Sequence, residues 1–404
     1  RSVWPAAVYT EVMLQRLVIV LCLFFLGMPA SACIWDRDTL AMERARFPEV
    51  NELIVGYFPR HSSAYYQWRM EQVLAIPAEQ RKPSDYDDLG ASYDKLGQHD
   101  KAIQSMLDKI ERFPDQGVYE SLANLGTFYI HNGEFEKGAE YVGKAIEINP
   151  DAHFGREVYQ KLLVEYVLAK RALDQALPLE QDIQDSLEDL YSRFDRYVLD
   201  VLGFSEADYQ TQQSEIKKAI TGVLGMMRFG NHASPILLEA LGDLLDAQDS
   251  ETGSQRLAAR AFLKAAFETD DPQAATRYRG KARSALISQQ GAQLAVIDTR
   301  LKEEIAEGDA YFAQIAVDEK EWIAAGKDVD AQFKRAYYDQ TPALSQSLAA
   351  SVTDRLKGLP YGAHIQIVVW VVGLICLIST IVFIRRVLRM RRKSREIAAK
   401  LFAP

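Results

Sequence analysis

Cysteine is nearly absent. The 404-residue chain has three, Cys22, Cys33 and Cys376, too few and too far apart for a disulfide framework or a cysteine-based metal site. Histidine is also sparse. His61, His99, His131, His153, His232 and His364 are scattered, with no pair at metal-ligand spacing. No G-x-x-x-x-G-K-[ST] phosphate loop, G-x-S-x-G elbow or H-E-x-x-H pair occurs, so the common phosphate-binding, serine-hydrolase and zinc-protease signatures are missing. Acid pairs such as Asp87-Asp88 and Glu303-Glu304 point apart on a helix and read as solvated faces. The chain is therefore expected to be neither an enzyme nor a cofactor carrier.

Positive charge is also missing from most of the molecule. Ten of the 47 basic residues, but only two of the 56 acidic ones, lie outside residues 34–363, leaving that stretch about 17 charges negative. Nucleic-acid binding needs Lys and Arg to displace counterions from phosphates, so no nucleic-acid partner is expected.

Two segments are far more apolar than the rest. From Met13, Gln15-Arg16 precede Leu17–Leu26, and Ala30-Ser31-Ala32 follows. A short positive start, about ten apolar residues and an Ala-x-Ala end form the pattern of a secretory signal peptide. Residues 1–32 are read as leader and signal, with Met13 as the start. Cys33 is then the first mature residue, either lipidated or an ordinary thiol, with Ala30 where a lipobox usually has Leu. The second segment, residues 365–384, is twenty residues without a charge, long enough for about 30 Å of hydrocarbon. Seven basic residues follow within 385–395. The positive-inside rule then gives a single pass through a bacterial inner membrane, a periplasmic body, a tether at 341–364 and a cytoplasmic tail at 385–404.

The body contains a repeat. Leu89-Gly90-x-x-Tyr93 recurs 36 residues later as Leu125-Gly126-x-x-Tyr129. At the same offset lie Gly97 and Gly133, Lys101 and Lys137, Ala102 and Gly138, Met106 and Val142, Ile110 and Ile146, and Pro114 and Pro150. Each unit reads as two helices. The first carries an apolar stripe such as Tyr86, Leu89, Tyr93 and Leu96 and ends at a glycine; the second stops before a proline. Small residues at Gly90, Ala102, Gly126 and Gly138 would let the helices approach closely.

Over 83–150 this pattern resembles the tetratricopeptide repeat (TPR). The resemblance implies an all-α, TPR-type α-solenoid whose first helices line a groove for a protein or peptide. By motif position that groove offers Asp87, Ala91, Asp94, Lys95, Glu120, Ala123, Asn124, Thr127, Ile130 and His131. Asp87 and Ala91 stand where carboxylate-clamping members carry Lys and Asn, and Asn124 alone fits, so clamping of that kind is not expected. Phe154–Lys170 would be the capping helix that such a stack needs.

Residues 33–82, punctuated by Pro48, Pro59, Pro77 and Pro83, are expected to form short helices packed on the first repeat. Arg60-His61-Ser62 reads as a cap or surface hydrogen-bonding group rather than a nucleophile pair. Residues 171–340 form a further helical region. A helix over 206–228 is capped by Ser205, and Pro235 opens another. Leu241-Gly242-x-x-Leu245 with Ala258, Phe262, Ala265 and Pro272 forms a degenerate third repeat, and a break falls near Gly326. The expected function is a membrane-anchored periplasmic TPR scaffold for protein–protein interaction. The alternatives are an accessory subunit of an envelope enzyme or assembly machine and, less favoured, a hydrolase with an unrecognised site.

Overall fold

A computed structural model describes residues 48–150, 152–172, 177–179, 193–248, 253–287 and 293–339. Among them there are helices and no strands. Two short helices come first, α1 (Val50–Val55) and α2 (Ser63–Leu74). Then follow α3 (Pro83–Lys95), α4 (His99–Arg112), α5 (Val118–His131), α6 (Phe135–Ile148) and α7 (Arg156–Arg171). Beyond them lie α8 (Phe194–Val201), α9 (Tyr209–Phe229), α10 (Pro235–Asp246), α11 (Ser254–Glu268) and α12 (Pro272–Ala285). A 31-residue helix, α13 (Leu294–Ala324), and a short α14 (Val329–Phe333) complete the set.

The repeat unit folds as its sequence demands. Pro83 takes the first position of α3, where a missing N–H costs nothing, and the Asp85 carboxylate accepts the Lys82 backbone N–H at 2.7 Å. Gly97 and Gly133, with φ of 71° and 84°, reverse the chain after α3 and α5, in the left-handed region where a Cβ is penalised. At Gly126 two helices of the repeat meet backbone to backbone. A Cβ there would stand 2.7 Å from Val142 Cγ2 and 2.8 Å from the Val142 backbone nitrogen. Gly90 lies in the same way against Met106, and Gly242 on α10 against Phe262 on α11. The α10–α11 hairpin thus repeats the contact, with a longer loop between its helices.

Neighbouring helices pack in chain order from α2 to α7, then α7 on α9, and on through α10, α11 and α12. α7 is not a terminal cap. Leu162, Leu163, Val164, Tyr166 and Val167 are all buried, because α6 covers one side and α9 another. α9 is capped by Asp208 rather than Ser205: its Oδ1 accepts the Gln210 and Thr211 N–H groups at 3.0 and 3.2 Å.

The stack closes on itself. Lys95 Nζ, at the end of α3, donates to the carbonyls of Phe229 and Gly230 at the end of α9. α13 packs on α1, α2 and α11, while α1 packs on α9, α11 and α13. The chain turns at Gly326, whose φ is 62°.

The placement expected from hydropathy is corrected. No helix among the described residues is long and apolar enough to cross a membrane. The single inner-membrane pass with a periplasmic body is therefore not carried forward. Its basis, residues 365–384, lies outside the described residues, as do 1–32, Cys33, 341–364 and 385–404.

Candidate functional site

The expected groove is largely consumed by the protein itself. Asp87, Ala91, Asp94, Ala123, Asn124 and Thr127 are buried; Lys95, Glu120 and Ile130 are half-buried; only His131 is exposed. Lys109, from α4, places Nζ 2.7 Å from each Asp87 oxygen, and Asn124 Nδ2 donates to the same carboxylate at 3.3 Å. Burial pushes the Asp87 carboxyl up to about 7, and Lys109 offsets this only in part. Thr127 Oγ1 donates to Ala123 O at 3.0 Å and accepts from Gln160 Nε2 of α7 at 3.1 Å. Lys95 is held by the α9 carbonyls. The physical reason is the tight closure of the stack: side chains expected to meet a ligand meet α4, α7 and α9 instead. Ile130 leans over Gly138, where an added Cβ would lie 2.4 Å from its Cγ1.

One cluster stays open to solvent. His131 Nδ1 lies 2.9 and 3.0 Å from the two Asp94 oxygens, and His99 Nδ1 lies 2.9 Å from Oδ1. The Asp94 side chain is 2% exposed, against 28% for His99 and 30% for His131. Burial pushes the Asp94 carboxyl up, but the two imidazoles and Lys95 outweigh it and hold it well below the usual carboxylate range. The hydrogen bond to Asp94 raises His99, against an opposing effect of burial. Among the described residues these three form a group able to hold a metal ion. Scattered histidines were not expected to meet. The signal that would have found them is the stacking offset: α3 and α5 run side by side, so Asp87 meets Asn124 and Asp94 meets His131, each 37 residues on.

Arg60-His61-Ser62 takes a different part from a surface cap. His61 is buried, stacked on Tyr65 at 3.5 Å and tilted against Phe333 at 3.8 Å. Its Nδ1 lies 2.5 Å from Glu319 Oε1, and the Ser62 N–H donates to Glu319 Oε2 at 2.9 Å. The group ties the segment before α2 to α13.

Antiparallel helical hairpins packed in sequence make the described residues an all-helical, solenoid-like repeat protein. Residues 119–152, spanning α5, α6 and the turn beyond, match the family model described as Tetratricopeptide repeat, which supports a TPR protein. No curated protein matches the chain.

Proposed function

We propose that the protein is a protein-interaction scaffold that acts by binding rather than by catalysis. The TPR match over α5 and α6 carries this reading, since TPR repeats generally bind protein partners. Because the inner positions are occupied from within, the partner is met by the rim of the repeats. There Glu120 and the exposed Val118 lie at the start of α5 and the exposed Ile148 at the end of α6, while Ile130 and His131 stand at the other end of α5. These residues spread apolar and polar groups along a whole hairpin, which suits a folded partner better than an extended peptide. The buried His61–Glu319 pair supports a non-catalytic role for the most nucleophile-like stretch, since both side chains are engaged in packing and hydrogen bonding.

The test is site-specific photo-crosslinking from Glu120 and from Ile148 in cells expressing the full chain. A discrete adduct that weakens when Val118→Asp is introduced is the expected result. Only diffuse labelling of abundant proteins from both positions, unchanged by Val118→Asp, would overturn the scaffold reading.

A further inference from the structure

We infer that Asp94, His99 and His131 form a binding site for a single first-row transition-metal ion of the Zn2+ type, pinning the first TPR hairpin to the second. One ligand atom from each residue lies within 4.8 Å of the other two. Both Asp94–imidazole separations are 2.9 Å. A tetrahedral ion with bonds of about 2.0–2.1 Å needs its ligand atoms about 3.3 Å apart. Opening each carboxylate–imidazole edge by about 0.4 Å and drawing the rings together therefore completes three corners. The fourth is left to water, on the side where both rings meet solvent.

Three features make the cluster more than a chance hydrogen-bonded trio. The donors come from three helices: Asp94 near the end of α3, His99 opening α4 and His131 ending α5. Gly97 makes the tight turn that returns His99 over Asp94. The carboxylate is nine-tenths or more buried and aimed at both rings, whereas the rings are reachable from solvent, so an ion has an anionic anchor and an entry path. The surroundings also favour a cation. Asp100 adds negative charge beside His99 and accepts from Asn132 Nδ2 at 3.2 Å, while the one nearby cation acting on Asp94, Lys95, has its Nζ turned to the α9 carbonyls. Two imidazoles with one carboxylate suit Zn2+, Co2+ or Ni2+ over Mg2+ or Ca2+, which take oxygen donors. This inference is independent of the scaffold reading.

The experiment uses the full chain, freed of metal by chelation, titrated first with Co2+ and then with Zn2+. The expected result is a set of visible cobalt bands saturating at one equivalent and erased by Zn2+. Zn2+ should also raise the thermal midpoint. His99→Ala and His131→Ala should each weaken cobalt binding by at least about tenfold while leaving the helical circular dichroism intact, because both rings are partly exposed. Absence of a saturable cobalt spectrum overturns the site. So does a spectrum unchanged in both variants, which would assign the ion to other donors. Should one variant lose its helical signal, the other and the Zn2+-dependent midpoint decide in the same way.

Discussion

Asp87 on α3 and Lys109 on α4 form a buried ion pair, with the ammonium 2.7 Å from both carboxylate oxygens. The pair sits inside the first hairpin, where the repeat resemblance implied a ligand-facing acid. Its consequence is structural. Removing the cation strands a carboxylate that burial already pushes up to about 7. Lys109→Ala should therefore cost about 3–5 kcal/mol, whereas replacing both members with apolar residues of similar volume should cost far less. Urea unfolding followed by circular dichroism measures both. Equal losses for the single and the double variant would contradict this.

Close helix packing predicts an asymmetry between two glycines on neighbouring helices. Gly126→Ala would place a methyl group 2.8 Å from the Val142 backbone nitrogen, which cannot turn aside, so a loss of about 1–3 kcal/mol is expected. Gly143→Ala, facing only the flexible Lys161 side chain at 3.5 Å, should gain up to about 1 kcal/mol from helix propensity. Thermal midpoints should move in opposite directions.

His232 sets a pH response. Burial, reinforced by Arg60, Lys264 and Lys95, pushes its imidazole down to about 3 from an ordinary value of 6.5. The folded protein thus keeps it neutral while the unfolded chain takes up a proton first. Its contribution to stability is complete above about pH 6.5 and is lost as the pH falls toward 3. His232→Gln should flatten this part of the stability–pH curve, read as denaturant midpoints between pH 7 and 4. An unchanged slope would show that the ring titrates normally.

Glu319 holds the segment before α2 through His61 Nδ1 and the Ser62 N–H. Glu319→Ala removes both acceptors from a buried site and should cost about 2–4 kcal/mol. Cleavage should rise first in residues 56–62, where limited proteolysis with mass mapping would detect it. Uniform cleavage along the chain would argue instead for global loosening.

The parts of the fold visible in the sequence are those written with a period. The 36-residue spacing of Leu89/Leu125 and Gly90/Gly126 marks two helical hairpins, and Gly242 with Phe262 marks the same close contact again. Contacts without a period were not visible. Asn51 donates to Glu304 across 253 residues and Tyr65 to Asp330 across 265; nothing in local composition announces either. The groove positions differ from their motif-based expectation for a related reason. Motif position says which way Asp87 or Asn124 faces within a repeat, but not how tightly later helices curl back over that side. The Asp94–His131 contact lay between these cases, recoverable only by adding one residue to the repeat length.

Gly308 lies where α13 crosses the start of the described chain, and any side chain there would run into the Val55 carbonyl, 2.3 Å from an added Cβ. Of the three helices that pack on α1 and its buried Leu53, Ile54 and Val55, α13 is thus synthesised after both α9 and α11. Synthesis proceeds from the N-terminus, so these greasy residues emerge long before their cover is complete. Nascent chains halted ahead of Leu294 should be the form that chaperones hold longest, and release should coincide with the arrival of α13.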